Sequence, residues 1–241
     1  SKALPLLPPA LAQKYIRIKR VKVNGGRAQR DQRLREGDVL QLYINDEFFD
    51  KPSEENMFLT LFKPRLTVVY EDEHILLADK PQGLVVHADE TEKVNTLINH
   101  IQAYLYQKRE WNPRWENAFT PALCNRIDRN TGGIVIAAKD AETLRILNEK
   151  IRSRELDKRY LCVTVGRPKQ PEGRVECFLL KDEQKKQVSV YHRPVPGGKT
   201  AVTDYRVLDT RGELSLLEIG LETGRTHQIR ATMADLGCPL L

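Results

Sequence analysis

One acidic side chain lies between two arginines in a glycine-rich segment of this chain. The segment covers residues 125–133, reads NRIDRNTGG, and is followed at once by the apolar run Ile134 to Ala138. Because arginine stays protonated, Arg126 and Arg129 favour an ionised Asp128, as a carboxylate nucleophile needs to be. The same two cations attract a phosphate-bearing substrate. The alternative is a surface turn with a solvated ion pair, so other parts of the chain must decide between the two.

A second basic segment, residues 222–230 with the sequence ETGRTHQIR, joins a predicted strand to a predicted helix through Gly224. A glycine turn can direct Arg225 outward from the helix start, and a helix N-terminus with nearby arginines suits phosphate or carboxylate binding. The apolar residues Ile229, Met233 and Leu236 recur at helical spacing and form the buried stripe. The remaining side chains divide between a site and the surface: Arg225, His227, Gln228 and Arg230.

Hydrophobic periodicity predicts the elements that position these segments. Predicted strands cover residues 66–70, 75–78, 133–138, 160–165, 175–180, 201–208 and 214–221, and a further strand follows the turn at Pro81 and ends at His87. Predicted helices cover residues 95–106, 141–154 and 226–236. Asp140 is the expected N-cap of the second helix, and Gly237 the expected C-cap of the third. Many strands with a few helices on one side indicate an α+β domain.

Composition excludes several classes of protein. With 40% hydrophobic and 30% charged residues, the chain reads as globular, and no apolar stretch approaches the roughly 20 residues of a membrane span. The four cysteines have no paired metal-ligand spacing, which favours reduced thiols in a cytoplasmic protein. The five histidines show no ligand spacing either, so no metal site is predicted.

Positive charge is concentrated at the N-terminal end of the chain. Residues 1–45 hold ten Lys or Arg and three Asp or Glu, a net charge of +7, whereas the other residues sum to −1. A basic module on a neutral body commonly meets nucleic acid, and a solvated basic face is the alternative. The residues predicted to contact RNA crowd the end of a helix and the strand after it: Lys14, Arg17, Lys19, Arg20 and Lys22.

The N-terminal module has a helix, a hairpin and a further strand. Pro8-Pro9 precedes helical spacing over residues 10–18, and Asn24-Gly25 follows an alternating strand, which is a strong hairpin signal. A turn and a strand over residues 34–42 come next. This pattern resembles the small α-L RNA-binding module of ribosomal small-subunit protein four. We therefore expect an RNA-binding domain at residues 1–48, a linker rich in Asp, Glu, Pro and Ser at 49–66, and a catalytic domain at 67–241.

Four ordered motifs in the catalytic part resemble those of the RluA family of pseudouridine synthases. They are KPQGLVVH at residues 80–87, NRIDRNTGG at 125–133, KRY at 158–160 before a strand that ends in Gly166, and TGRTHQIR at 223–230. The resemblance covers residues 67–241. It implies a mixed, mostly antiparallel β-sheet with flanking helices. It also implies that the protein isomerises uridine in RNA without a cofactor or metal. We expect a cytoplasmic monomer with no membrane association. Ribosomal RNA is the expected partner, most closely that of the large subunit, and transfer RNA the alternative.

The resemblance also implies roles for individual residues. Asp128 matches the family's nucleophile, Tyr160 the tyrosine that stacks on the uracil, and Arg225 the basic residue paired with the aspartate. Arg126 is expected to contact the aspartate or to fill the space of the extruded nucleotide. The full set implied to bind substrate is Arg126, Arg129, Thr131, His227, Gln228, Ile229 and Arg230.

Three residues depart from the family pattern: Asn125 replaces a histidine, Asn130 an aspartate and Gly132 a serine. None is the nucleophile, but the hydrogen bonds that shape the loop must differ. A noncatalytic RNA-binding or ribosome-assembly protein with the same fold therefore stays an alternative. A glycoside hydrolase is disfavoured because no motif marks a second acid. Family members begin earlier and continue further than this chain, so truncation at either end also stays open.

Overall fold

The computed structural model describes residues 3–182 and 187–241. The chain divides into two compact units, residues 1–146 (unit 1) and residues 147–241 (unit 2). In the described residues, no helix combines the length and the apolar character needed to cross a membrane. The first two residues of the predicted module 1–48 lie outside the described ranges.

Unit 1 begins with helix α1 (Pro9–Arg17) and a three-stranded antiparallel sheet. Its strands are β1 (Val21–Val23), β2 (Gly26–Arg27) and β3 (Leu40–Leu42), in the order β2-β1-β3. The β1–β2 turn has left-handed backbone at both Asn24 and Gly25, with φ of 50° and 79°. This conformation suits a two-residue hairpin, which confirms the turn predicted from Asn-Gly.

The segment after β3 contributes to the core of unit 1. It contains two short 3-10 helices, Asp46–Phe49 and Met57–Thr60. Phe48 packs edge-on against Tyr15 of α1 with ring centroids 6.4 Å apart, and Phe58 lies 5.0 Å from the ring of Trp111. The residues from 49 to 66, predicted as a linker, are thus partly buried, while the predicted domain boundaries stay a prediction.

A four-stranded antiparallel sheet carries the rest of unit 1. Its strands are β4 (Thr67–Glu71), β5 (Ile75–Lys80), β6 (Ala122–Leu123) and β7 (Gly133–Ala138), in the order β4-β5-β7-β6. Helix α2 (Leu97–Lys108) begins after the N-cap Thr96. The inward side chains of β5 and β7 have no solvent exposure: Leu76, Ala78, Val135 and Ala137.

The prediction of a strand that ends at His87 is wrong. Leu84, Val85 and Val86 are buried, but Val85 forms only an isolated bridge with Thr96. The reason is that the carbonyls of Val85 and Val86 accept hydrogen bonds from the first backbone amides of α2, at 2.8 and 3.2 Å. The apolar run therefore satisfies a helix N-terminus instead of a strand ladder.

Unit 2 is built on a five-stranded antiparallel sheet. Its strands are β8 (Arg159–Val165), β9 (Glu172–Asp182), β10 (Gln187–Tyr191), β11 (Lys199–Arg211) and β12 (Leu214–Leu221). Helix α3 (Ala141–Arg152), whose last residues belong to this unit, precedes the sheet in sequence, and helix α4 (Gln228–Asp235) follows it. The order is β10-β9-β11-β12-β8. Every pair of these named strands is antiparallel, and helices flank the sheets, so the α+β prediction is confirmed.

Candidate active site

Asp128 lies in unit 1 on the loop that joins β6 to β7. Within this loop Ile127 is buried, whereas its neighbours Arg126 and Asp128 are exposed. The backbone amide of Thr131 donates to the Asp128 carbonyl at 3.0 Å and closes a tight turn. The buried isoleucine therefore anchors the loop and leaves the guanidinium of Arg126 and the carboxylate of Asp128 at the surface.

Asn125 ties the start of this loop to β7. Its Oδ1 accepts from the backbone amide of Ile136 at 2.8 Å, and its Nδ2 donates to the Ile134 carbonyl at 3.3 Å. The amide of Cys124 also donates to the Ile136 carbonyl, at 2.8 Å. Asn125, where the resemblance leads us to expect a histidine, thus has a structural role, because its side chain prolongs the backbone pairing beyond β6.

Lys80 is a fully buried cation beneath the same loop. Its Nζ donates to three backbone carbonyls, those of Pro81 at 3.0 Å, Leu84 at 2.6 Å and Arg129 at 3.0 Å. Burial lowers the pKa of Lys80, and the Asp128 carboxylate acts in the opposite direction by favouring the ammonium form. Lys80 thus fixes the backbone next to Asp128. The motif at residues 80–87 contains this lysine, but the residue type and its spacing do not show the role.

Two hydrogen bonds at the surface hold the Arg129 side chain in place. Its guanidinium donates to the Asp89 carboxylate and to the Thr91 hydroxyl, both at 2.8 Å. Hydrogen bonds from Thr91, from the Glu92 amide and from Arg129 hold the pKa of Asp89 well below its usual range. Arg129 therefore links the Asp128 loop to the turn at residues 89–92, and its predicted contact with substrate stays a prediction.

Tyr160 lies in unit 2, at the second position of β8. It is paired with Ile219 across the ladder and is half-buried. Together with Ile229 it packs against the cluster that contains Tyr205, Leu217 and Met233. Ile229, predicted to bind substrate, thus contributes at least part of its side chain to this core.

The turn before α4 presents Arg225. The exposed guanidinium is oriented by a hydrogen bond from its Nε to the Thr200 carbonyl at 2.9 Å. The N-cap His227 has a left-handed backbone with φ of 52°, and its side chain and that of Arg230 are exposed. Three of the predicted side chains in this segment are therefore at the surface of unit 2.

Gln228 is instead buried beneath the turn, with 2% exposure. Its Oε1 accepts from the Thr223 hydroxyl at 2.8 Å and from the Arg225 amide at 3.0 Å. Its Nε2 donates to the Val202 carbonyl at 3.0 Å and to the Thr203 hydroxyl at 2.9 Å. Both polar atoms of the amide are thus used within unit 2, in bonds that shape the turn carrying Arg225.

Replacing Gln228 with alanine should lower the free energy of unfolding by about 2–4 kcal/mol, because it leaves buried polar groups without partners and creates a small cavity. Chemical denaturation measures this loss. The exposed Gln170→Ala is the matched control and should change stability by less than about 0.5 kcal/mol. Equal stability of the two variants would contradict the role of Gln228 in holding the turn.

The structure brings the predicted residues together in two groups. Unit 1 places Arg126, Asp128, Arg129 and Thr131 on one loop, and unit 2 places Tyr160 near the start of β8 and the residues from Arg225 to Arg230 around the start of α4. The meeting of these groups on one substrate stays a prediction. Within residues 3–182 and 187–241, no cluster of three His, Cys, Asp or Glu side chains could hold a metal ion.

Comparison with known proteins identifies the family. The family of RNA pseudouridylate synthases matches residues 74–235. An uncharacterised RNA pseudouridine synthase of Mycoplasma genitalium is 31% identical over 238 residues, which cover 96% of this chain and 72% of that protein. The ribosomal large subunit pseudouridine synthase D of Borreliella burgdorferi is 32% identical, over 83% of this chain and 61% of its own length.

Solved structures agree with this result. The human RNA pseudouridylate synthase domain containing 4 has a TM-score of 0.58 and 25% identity, and the match covers 72% of this chain and 66% of the human chain. The human RNA pseudouridylate synthase domain containing 1 shares the fold, with the same TM-score and 18% identity. The chain therefore belongs to the RluA-type family of RNA pseudouridine synthases, whose members isomerise uridine to pseudouridine in RNA.

Proposed function

We propose that this protein isomerises a uridine of ribosomal RNA and that Asp128 is the nucleophile. The observation that carries the proposal is the loop itself. An exposed carboxylate follows an exposed arginine on a loop that is fixed from below by Ile127, Asn125 and the buried Lys80. A nucleophile on a fixed loop loses little conformational freedom when it attacks, so the arrangement suits covalent catalysis.

In the proposed reaction, the bond between the ribose and the ring nitrogen of uracil breaks, the uracil turns, and its ring carbon five forms the new bond to the ribose. The proton on that carbon is lost and the ring nitrogen gains one, so no oxidant or reductant is consumed. Asp128 forms the covalent intermediate, at the sugar or at the base. Tyr160 stacks on the uracil, and Arg225 pairs with the aspartate.

The target nucleotide must leave its stack to reach a side chain on a surface loop. The free energy needed to extrude the base is lower by a few kcal/mol for an unpaired or looped uridine. Arg126, which is exposed two residues before Asp128, is suited to occupy the space that the base leaves. The arginine would then contact the RNA in the same step in which the base is extruded.

Purified protein should form pseudouridine in unmodified ribosomal RNA without an added cofactor, as measured by mass spectrometry of digested nucleosides. Unmodified transfer RNA is the comparison substrate. RNA binding without isomerisation of either RNA would contradict the proposal and favour a noncatalytic RNA-binding or ribosome-assembly protein. We also propose that the protein acts in the cytoplasm and is a monomer. Sedimentation of the purified protein tests the oligomeric state.

The N-terminal part of unit 1 is the proposed RNA-binding module, of the type found in ribosomal small-subunit protein four. In favour of this role, Lys14, Arg17 and Lys19 are exposed at the end of α1 and just after it. Two other predicted cations lie over aromatic rings: Arg20 over Tyr15 at 6.0 Å and Lys22 over Tyr43 at 5.4 Å. Tyr15 is buried but Tyr43 is exposed, so this surface combines cations with one accessible aromatic ring, which suits single-stranded RNA.

Replacing Lys14, Arg17 and Lys19 together with glutamine should weaken RNA binding and flatten its dependence on salt. The slope of log K against log salt is negative, and its magnitude falls by about 0.7 to 0.9 for each phosphate that the protein no longer neutralises. Three such phosphates reduce the magnitude by about 2 to 3. Titrations between 50 and 200 mM salt measure the slope. A triple variant with the wild-type slope would show that this surface does not bind RNA.

A further inference from the structure

A lysine that the family motifs leave without a role lies at the start of β8. Lys158 is half-buried, and its carbonyl accepts from the Leu221 amide at 3.0 Å, which extends the β8–β12 ladder by one residue. Its Nζ lies beside the turn that carries Arg225, 3.9 Å from the position that a Cβ would take on Gly224. Among the residues that the structure describes, this ammonium has no hydrogen bond or ion pair to a carboxylate.

Lys158 is one of the residues that line a cavity of about 480 Å³ within unit 2. The carboxylates around this cavity are already engaged by arginines. Glu222 pairs with Arg154 at 2.9 Å and also with Arg174, which in turn lies 3.4 Å from Asp204. Asp157 pairs with Arg159 at 3.6 Å. Each acid of the cavity thus has an arginine partner, whereas Lys158 has no carboxylate partner among the described residues.

The surroundings of Lys158 disfavour an uncompensated cation. Burial, and then the charges of Arg154 and Arg225, lower the pKa of the lysine. A desolvated charge becomes favourable when an opposite charge with hydrogen-bond acceptors reaches it. The Arg225 guanidinium, which a hydrogen bond to the Thr200 carbonyl orients, is near enough to contribute to this repulsion. Both features fit an anion with several oxygen atoms.

We propose that Lys158 binds a backbone phosphate of the RNA substrate. The inference rests on the proposed function and deepens it, because it assigns a phosphate contact next to the predicted uracil-stacking residue. Lys158 and Tyr160 are two residues apart along an extended strand, so their side chains leave the same face about 7 Å apart. A nucleotide whose base stacks on Tyr160 thus has a cation within reach of its backbone.

The test compares Lys158→Met with the wild-type protein in binding to a 12-nucleotide oligouridylate, by fluorescence anisotropy at 50 to 200 mM salt. We expect the slope of log K against log salt to fall by about 1, as it does when one phosphate is no longer neutralised. Lys158→Arg should keep the wild-type slope because it keeps the cation. The exposed Lys169→Met is the matched control for the removal of a charge from the same unit and should leave the slope unchanged.

A thermal melt separates binding from a structural role. Lys158→Met should not lower the melting temperature, because it removes a half-buried charge that has no carboxylate partner. If this variant does not fold, Lys158→Gln replaces it in the same titration. A wild-type slope in the folded variant, or an equal fall for Lys169→Met, would overturn the proposal. Failure of the proposed function is a different result, namely that the wild-type protein isomerises no RNA.

Discussion

Asp128→Asn is expected to reduce pseudouridine formation by about four orders of magnitude or more, with RNA affinity changed less than twofold. The amide has almost the shape of the carboxylate but is not nucleophilic, so the covalent step is lost. Binding should persist because the loop is held through Ile127 and through the Arg129 carbonyl, neither of which the substitution changes. Single-turnover assays measure the chemical step, and filter binding measures RNA affinity.

Asn130→Asp is the matched control for this experiment. It changes the charge of the same loop at an exposed position and introduces the acid that the resemblance leads us to expect there. The control should stay active. Wild-type rates for Asp128→Asn would exclude Asp128 as the nucleophile, and equal inactivity of both variants would point to the electrostatics of the loop instead of covalent chemistry.

Lys80→Met should lower the free energy of unfolding by about 3–5 kcal/mol and reduce turnover as well. Methionine has a similar length but no donor, so the Pro81 carbonyl and the buried Leu84 carbonyl lose a charged partner. The Arg129 carbonyl keeps its bond from the Gly83 amide at 2.8 Å, which limits the loss. Urea denaturation gives the change in stability, and kcat reports the displacement of the Asp128 loop.

Lys93→Met provides the comparison for this prediction, because Lys93 is an exposed lysine of unit 1. Its effect on stability should lie within about 0.5 kcal/mol. Similar effects at positions 80 and 93 would mean that the buried ammonium does not hold the loop. Lys80→Met with normal stability but no activity would instead place Lys80 in the chemistry.

Local patterns were sufficient for most elements of the fold. Hydrophobic patterns predicted residues 214–221 and 133–138 with the bounds that β12 and β7 have. Asp140 caps α3 as expected, since its carboxylate accepts from the Thr143 amide at 2.8 Å. Gly237 has the left-handed φ of 79° that follows many helices. In these cases the residue type and its nearest neighbours in sequence carry the physical cause.

The errors arose where distant residues decide the conformation. The run that ends at His87 has the composition of a strand, but its carbonyls bind the start of α2. Strands β6 and β10 were missed because β6 has only two residues and β10 follows a charged segment. Their pairing with β7 and β9 stabilises them, and no local pattern shows these partners.

The candidate site shows the same division. The motif pointed to Asp128, but the contacts that hold its loop come from Lys80, 48 residues earlier in the chain. The motif around Arg225 did not show that Gln228 is buried under the turn and bonds to Val202 and Thr203 of β11. Residue types can name a nucleophile or a cation, whereas the residues that position it are known only from the tertiary fold.

The aromatic contacts of residues 46–60 determine where this polypeptide can be divided into fragments. A fragment that began at residue 67 would lack Phe58 and would expose the ring faces of Tyr106 and Trp111 to water. It would also lack the buried Glu47, which accepts from the Tyr106 hydroxyl at 3.1 Å. Newly exposed apolar surface of this kind promotes self-association. A soluble catalytic fragment must therefore retain residues 46–60, although their composition resembles that of a spacer.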